Sequence, residues 1–265
     1  LCFDRDRSGS LRAEGRCSTE AAGKLRAGFN RGKITLPMTD VRHGLSSSMQ
    51  DYLKAIYRLQ EKGARASTRK VAAALGTSEA AVSRMVRRLS DRGLVSLTPY
   101  RGFALTAEGS SAAVEMLRHH RLLETWLHRT MGFSWDEVHE EAERLEHHIS
   151  ERLEEQLAEL LGQPRFDPHG HPIPSRDGRV PAQAGRPLAA FAEGEQAVVS
   201  CVDDVCPALL RRLERARILP GCRVRILRRD PDGSLAIETP AGPANLRPAE
   251  AELIFAESDE GEVSG

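Results

Sequence analysis

The sequence predicts a mainly α protein in which a winged helix-turn-helix and a further helical region precede a small β-rich domain. Three observations predict this order. Apolar residues recur at helical spacing between 49 and 162. Within that region, two short β-type runs flank a Pro-Tyr-Arg-Gly turn at 99–102. Beyond residue 190, helical periodicity is confined to 207–217 and β-type runs predominate.

The length and the charge distribution limit the number of domains and the kinds of partner. The chain has 265 residues, enough for two modest domains. Its 38 Lys and Arg residues balance its 38 Asp and Glu residues, so the net charge does not indicate a partner. However, 65–101 is rich in arginine, whereas 137–160 is acidic. A basic segment in a neutral chain is typical of a surface that attracts nucleic acid.

The cysteines and the apolar runs predict a cytoplasmic protein. The five cysteines show no C-x-x-C spacing, which is typical of a reducing compartment. No apolar run approaches the roughly 18 residues needed to cross a bilayer, and the N-terminus lacks the apolar region of a secretory signal. We therefore expect no membrane partner.

We predict six segments along the chain. Residues 1–44 form a disordered leader, since Gly, Arg and Ser prevail in 1–37 without periodicity. The chain begins with Leu1, with Met38 and Met49 further on, so we expect 1–37 to be artefactual or dispensable. The other predicted segments are a winged helix-turn-helix at 45–106, a helical domain at 107–162, a Pro/Gly linker at 163–187, a β-rich domain at 188–257 and a tail at 258–265.

Three short helices open the ordered region. The first carries apolar residues at i, i+4 and i+7, namely Tyr52, Ile56 and Leu59, and is closed by Gly63. The second and third have N-cap serines and terminal glycines. These are Ser67 and Gly76 for the second helix, and Ser78 and Gly93 for the third.

The helical domain and the β-rich domain follow. A long helix is predicted from Ala107 to Met131, and Ser134 with Glu137 reads as a capping box that opens an acidic helix. Ser150 caps a further helix that ends near Gly162. The predicted strands are "QAVVSCV", "CRVRILRR", "LAIETP" and "AELIFAE".

The order of three helices and a hairpin predicts DNA recognition by the third helix. That helix would present a row of small and polar residues to base edges, with Arg84 able to bond guanine through two hydrogen bonds. The row is Ser78, Glu79, Ala80, Ala81, Ser83 and Arg84. Phosphate contacts are predicted for Arg69, Lys70, Arg87, Arg88 and Arg101, with Tyr100 and Arg101 at the wing tip. The alternative is a three-helix domain with a solvated basic face, or a winged helix that binds protein.

The stretch "EVHEEAERLEHHIS" at 137–150 predicts metal ligands. On a helix His139, Glu143, Glu146 and His147 share roughly a 100° arc that borders an apolar stripe. Carboxylates at the edge of a core must be hydrogen-bonded, ion-paired or metal-bound. His120 and Glu124 form a second i, i+4 pair upstream.

Two alternatives to a regulatory metal remain open. Acidic helices that contain histidine are usually polar surface. A zinc hydrolase would need a second histidine at 143 to complete H-E-x-x-H, and Glu143 stands there instead.

Several motifs in order resemble the diphtheria toxin repressor family of metal-dependent transcription factors. They are "MQDYLKAIYRL", "VAAALGTSEAAVSRMVRRLSDRGLV", "GFALTAEG", "HHRLLE", "EVHEEAERLEHHIS" and "FDPHGHPIPS". The similarity spans about 45–256 and includes the SH3-like domain of longer members. It implies a homodimeric repressor that binds a palindromic operator, takes a divalent metal as corepressor and controls metal-uptake genes. It also implies that His169 and His171 are turn residues, and that there is no small-molecule substrate and no catalytic residue.

The resemblance also implies two metal sites. The primary site would use Asp51, Glu143, Glu146 and His147. The ancillary site would use His120, Glu124 and His139. The two further ligands that longer members take from the SH3-like domain do not carry over, because a cysteine and a leucine of "CVDDVCPALL" align there, and Asp203 or Asp204 is the candidate substitute. Small members of the manganese-responsive branch carry a glutamate where Lys54 stands here, so this chain departs from their geometry.

The ligand types favour Mn²⁺. The iron-responsive branch has methionine and cysteine where Asp51 and Glu143 stand, and three carboxylates with one imidazole form a hard site that suits manganese. Fe²⁺ remains the alternative metal, and a metal-independent winged-helix regulator and a metalloenzyme remain alternative functions. In the predicted mechanism, metal ties Asp51 to 143–147 and so fixes two recognition helices at the spacing of a palindrome.

Overall fold

The computed structural model describes residues 44–61, 63, 65–98, 102–204 and 206–259. Its helices are α1 (Ser47–Glu61), α2 (Thr68–Leu75), α3 (Glu79–Asp91), α4 (Ala107–Met131), α5 (Val138–Leu145), α6 (Glu151–Leu160), α7 (Pro207–Arg215) and α8 (Pro248–Ala251). Its strands are β1 (Val95–Thr98), β2 (Gly102–Leu105), β3 (Arg186–Pro187), β4 (Gln196–Val202), β5 (Arg223–Arg229), β6 (Leu235–Thr239), β7 (Gly242–Leu246) and β8 (Ile254–Ser258). The predictions for the leader up to residue 43, for Tyr100 and Arg101, and for 260–265 lie outside the described residues.

The N-terminal domain has the predicted three helices and hairpin. The Ser67 and Ser78 side chains accept hydrogen bonds from the N–H groups of Lys70 and Ala81, and α2 ends at Gly76 with φ of 60°. Strands β1 and β2 pair antiparallel from Val95↔Leu105 to Thr98↔Gly102. The apolar stripes of the three helices meet in one core, which includes Leu53, Ile56, Val71, Val82, Val86, Leu89 and Phe103. The cap and stripe predictions for this domain are confirmed.

Helix α4 is the central support of the molecule and has the predicted bounds. Thr106 caps its N-terminus, and Gly132 ends it in the left-handed conformation. Helices α1, α5 and α6 all pack against it. Because α4 is covered on several sides, its polar residues between 115 and 125 are buried, which places charged side chains inside the helical region.

The prediction that a capping box at Ser134 and Glu137 opens the acidic helix is wrong. Residues 135–137 form a turn, and α5 begins at Val138 with no side-chain cap. The Glu137 carboxylate accepts a hydrogen bond from the Ser134 N–H, so only that half of the box exists. Helix α5 also ends at Leu145, so Glu146 and His147 lie in the turn that follows it.

The β-rich domain is an antiparallel sheet of six strands in the order β3-β8-β4-β5-β6-β7, with α7 packed into its core. The description "mainly α" therefore holds only for the chain before β3, and the whole molecule is a helical region followed by a β-rich domain. Trp135, which comes from the turn between α4 and α5, is buried in the core of this domain. Asp136 next to it forms an ion pair with Arg211 of α7.

The segment predicted as a linker is partly packed in place. Asp167 and His169 are buried, and the Val202 N–H donates to the His169 carbonyl over 2.9 Å. Gly170 has a φ of +89°, and a Cβ there would lie 2.1 Å from the Ser200 carbonyl oxygen. This close approach needs glycine and fixes His169 between the helical region and β4.

Candidate metal centre and nucleic-acid interface

Three separate segments bring the predicted metal ligands together. Asp51 lies on α1, and His120 and Glu124 lie one turn apart on α4. His139 and Glu143 lie one turn apart on α5, and Glu146 and His147 follow its last turn. Since α1 and α5 both pack against α4, the side chains from all three converge.

The predicted primary ligands form two groups that share Glu146. Asp51, Glu146 and His147 offer donor atoms within 4.8 Å of one another, as do His120, Glu143 and Glu146. Asp51 Oδ1 lies 2.9 Å from His147 Nε2. No hydrogen bond joins these two atoms, and the buried oxygen has none to any described residue. Two donors that approach closely without bonding each other fit a common cation.

A lysine ammonium lies in the same cluster. Lys54 is on α1, one turn after Asp51, and its Nζ is 2.6 Å from Glu143 Oε1 and 2.5 Å from Glu146 Oε1. His147 in turn has its Nδ1 2.7 Å from the Gln50 side-chain oxygen. Neither the Lys54 contact nor the Gln50 contact is predicted by the helical spacing of the acidic stretch.

The predicted ancillary residues form a compact second cluster. His120 Nε2 is 2.9 Å and His139 Nδ1 is 3.1 Å from Glu124 Oε1. The β-rich domain adds Asp204, which follows β4 and has its Oδ2 3.0 Å from His139 Nδ1. Of the two aspartates considered from the sequence, the structure places Asp204 in this cluster.

His169 also faces this cluster, although the sequence indicates only a turn residue. Its Nε2 lies 2.9 Å from the Trp135 carbonyl oxygen. Its Nδ1 lies 3.9 Å from Glu124 Oε2, and both atoms are buried without a hydrogen bond to any described residue. The sequence signal for this side chain is the segment "PHGHPIP", which is one of the motifs that resemble the family.

The electrostatics keep the carboxylates ionised. Burial raises the pKa of Glu146, but the hydrogen bond with His120 and the charge of Lys54 outweigh it and lower that pKa to about 2. Burial likewise opposes ionisation of Asp204, whose contact with His139 holds its pKa well below the usual range. Anionic oxygens of this kind are the donors that hard divalent cations prefer.

The carboxylates of the ancillary cluster raise the pKa of its two imidazoles. Burial lowers the pKa of His139, but its hydrogen bonds with Asp204 and Glu124 raise it overall to about 10. The pKa of His120 is also raised, because the charge of Glu124 outweighs burial and the charge of Lys54.

Helix α3 presents the residues predicted to contact DNA, with some variation in exposure. Ala81 and Ser83 are half-buried, and the Glu79 carboxylate accepts a hydrogen bond from the Thr68 hydroxyl over 3.1 Å. The other predicted contacts in the described residues are exposed: Ser78, Ala80, Arg84, Arg87, Arg88, Arg69 and Lys70. The exposed cations among them lie on α2 and α3, which pack against each other. No helix in the described part of the chain is long and apolar enough to cross a membrane.

Three family descriptions match the chain in order. Residues 44–103 match the iron dependent repressor N-terminal DNA binding domain, and 106–175 match the iron dependent repressor metal binding and dimerisation domain. Residues 186–258 match the FeoA domain.

Individual proteins agree with these matches. The iron-dependent repressor IdeR of Mycobacterium tuberculosis is 32% identical over 212 residues, which cover 74% of this chain and 90% of the relative. The diphtheria toxin repressor of Corynebacterium glutamicum is 38% identical over 130 residues, covering 49% and 57% of the two chains. A solved manganese-dependent transcriptional repressor in complex with manganese is 38% identical with a TM-score of 0.74, and the match covers 79% of this chain and 99% of that one.

The family predicted from the sequence agrees with three findings. The matched domains occur in the expected order, the predicted ligands converge from α1, α4 and α5, and the similarity to IdeR and to the manganese-dependent repressor extends over most of their length. The chain belongs to the diphtheria toxin repressor family of iron-dependent repressors, whose members are DNA-binding transcriptional repressors.

Proposed function

We propose that this protein is a homodimeric repressor whose binding to a palindromic operator requires Mn²⁺ at Asp51, Glu143, Glu146 and His147, and that it controls metal-uptake genes in the cytoplasm. The observation that carries the proposal is the buried Asp51 oxygen, which lies beside His147 Nε2 without bonding it. A divalent ion would place a positive charge beside this carboxylate and link α1 to the turn after α5.

The proposed ligands come from two domains, so metal binding would link those domains. Asp51 lies in the domain that carries the recognition helix α3, whereas Glu146 and His147 lie in the region that matches the dimerisation domain. Mutual repulsion among the carboxylates opposes their close approach. Holding them together therefore fixes the N-terminal domain against the dimer region, and with it the separation of the two recognition helices.

The ancillary cluster is proposed as a second metal site that connects to the β-rich domain. His120, Glu124, His139 and Asp204 offer donors within 4.8 Å of one another. The unbonded atoms Glu124 Oε2 and His169 Nδ1 also face this cluster. Asp204 gives the β-rich domain a direct role, because its carboxylate holds that domain to the helical region.

Manganese is favoured by the ligand types. Carboxylate oxygens outnumber imidazoles at the primary site and there is no sulfur donor among the four residues, which suits a hard ion. Fe²⁺ is the second candidate, because curated relatives over most of this chain are iron-dependent repressors. The geometry for a metal switch is the same for either ion.

Selection of DNA sequences tests this function. We would select binding sequences from a random duplex library with Mn²⁺ present, then measure affinity for the selected DNA with Mn²⁺, Fe²⁺ under anaerobic conditions, Zn²⁺ or chelator. Coupling of about 1–3 kcal/mol is typical of effectors, so we expect roughly 5–150-fold tighter binding with Mn²⁺. Activation by Fe²⁺ alone would exclude manganese, and equal affinity in chelator would exclude the metal switch.

Matched variants test the ligand assignment. Glu143→Ala and His147→Ala should remove the metal effect while leaving a folded dimer. Glu140→Ala is the control, because Glu140 lies one turn before Arg144 and pairs with it on the solvated face of α5. Retention of metal-dependent DNA binding in either ligand variant would show that the primary site lies elsewhere.

A further inference from the structure

Lys54 is a buried cation inside the proposed primary metal site. Its side chain is 6% exposed, and its ammonium contacts both Glu143 and Glu146. A buried ammonium is costly unless it is paired. The pairing here uses carboxylate oxygens of two proposed ligands, so Lys54 and a metal ion draw on the same negative charge.

The charges of this cluster can be counted. Asp51, Glu143 and Glu146 supply three carboxylates, and Lys54 supplies one ammonium within hydrogen-bond distance of two of them. Any charge on His120, which also contacts Glu146, is balanced by Glu124. One divalent ion balances the remaining two negative charges. A second divalent ion would leave buried positive charge without a partner, which is unfavourable.

We propose that Lys54 is a tethered cation that weakens divalent-ion binding at the primary site and limits that site to one ion. It thereby raises the metal concentration at which the repressor responds. The inference rests on the proposed function, since it concerns the same ligands. It adds a residue that sets the affinity of the site without being a ligand.

A purely structural role for Lys54 gives a different expectation. If its ammonium only ties α1 to the end of α5, its removal should destabilise the fold and leave metal affinity unchanged or weaker. If it is an internal competitor for the carboxylates, its removal should destabilise the metal-free protein and strengthen metal binding. Metal affinity therefore separates the two roles.

The test is calorimetric titration of the metal-free full-length chain with Mn²⁺, comparing wild type with Lys54→Met. The methionine side chain has similar length and no charge, and we expect Mn²⁺ to bind at least tenfold more tightly at the site that His147→Ala abolishes. Thermal unfolding should show a lower midpoint without metal and a larger rise on adding Mn²⁺. Lys54→Arg keeps the charge, and should keep affinity near that of wild type.

Two further variants complete the design. Arg225→Met is the control for loss of a positive charge, because Arg225 is exposed on β5 of the other domain and its loss should leave Mn²⁺ affinity unchanged. Lys54→Gln replaces Lys54→Met if the latter does not fold, since its amide can still donate to a carboxylate, and the same tightening is expected. Unchanged or weaker Mn²⁺ binding in a folded neutral variant would overturn the inference while leaving the proposed function intact. Absence of Mn²⁺ binding by wild type would overturn both.

Discussion

Glu146 joins the two candidate metal clusters through a single side chain. Its Oε1 contacts Lys54, and its Oε2 lies 2.6 Å from His120 Nδ1. The His120 ring then reaches Glu124 through its other nitrogen. Since Glu146 is fully buried, both contacts are shielded from solvent, and a change at either cluster acts on the other through one carboxylate.

Two arginines on α3 should have separable effects on DNA binding. Arg84→Ala should relax base preference, because we predict that its guanidinium reads a base edge. Arg88→Ala should weaken binding to all sequences alike. It should also reduce the slope of log affinity against log salt concentration by about 1, because one phosphate contact is lost. Library selection and salt titrations distinguish these effects.

Arg152→Ala provides the control, because Arg152 is exposed on α6, outside the helices that carry the predicted DNA contacts. These assignments would be contradicted if Arg88→Ala narrowed the range of DNA sequences bound, or if Arg84→Ala left the base preference unchanged.

The sequence predicts part of the site because helical spacing is a local property. His139 and Glu143 on α5, like His120 and Glu124 on α4, are one turn apart, so their proximity follows from 3.6 residues per turn. The resemblance supplied Asp51. The contribution of Asp204 depends on how the β-rich domain docks, and spacing along the chain does not determine that. The contact of Lys54 with Glu146 spans 92 residues and is similarly nonlocal.

At the level of elements, α4 and α6 are joined by buried charges. Arg118 Nε lies 2.5 Å from Glu154 Oε1, and His119 Nε2 lies 2.7 Å from the other oxygen of that carboxylate. Both ends of the Arg118–Glu154 pair are buried. A buried pair of this kind is sensitive to loss of one partner, because the remaining charge has no solvent to compensate it.

Glu154→Gln should therefore lower the free energy of unfolding by about 3 kcal/mol at neutral pH, measured by urea denaturation. Burial raises the pKa of Glu154, but the His119 hydrogen bond and the Arg118 charge hold it below its ordinary value of 4.5. A depressed pKa gives stability that is present above the unfolded-state pKa and is lost as pH falls through the folded-state pKa. The difference between wild type and variant should thus persist down to about pH 4.5 and shrink below it.

Glu155→Gln is the control for this charge loss. Glu155 pairs with the exposed Arg176, and a surface pair of this kind contributes about 1 kcal/mol or less. Equal destabilisation by the two variants would show that burial of the Glu154 pair is not what stabilises the contact between α4 and α6.

Elements were predictable where capping and periodicity agreed. The bounds of α4 follow from Thr106 and Gly132 at its ends, and α6 follows from Ser150. Strand β7, with the sequence GPANL, lacks β-branched residues and contains proline, so it is defined by pairing with β6 and not by propensity. Helix α8 has only four residues, too few to establish a period.

At the level of the whole molecule, α6 carries two exposed leucines that we predict to lie in the dimer interface. Leu153 and Leu160 are seven residues apart, which places them on one side of the helix, and their exposed fractions are 45% and 66%. They lie within the region that matches a metal binding and dimerisation domain. We expect a second copy of the chain to cover them.

Leu160→Glu should weaken the dimer at least tenfold, because a carboxylate in an apolar interface loses its hydration. Sedimentation equilibrium of the metal-free protein measures this. Leu227→Glu is the control, since Leu227 is also exposed but lies on β5 of the other domain. A dimer unaffected by Leu160→Glu, or equally weakened by Leu227→Glu, would place the interface elsewhere.

The burial of Trp135 in the core of the β-rich domain has a consequence for dissecting this molecule. A fragment ending before β3 would expose the indole to water, and the isolated β-rich domain would retain a hole where that ring packs. Each piece would then be prone to aggregate for reasons unrelated to DNA or metal. Point substitutions in the full-length chain are consequently the sounder way to learn what the C-terminal half contributes.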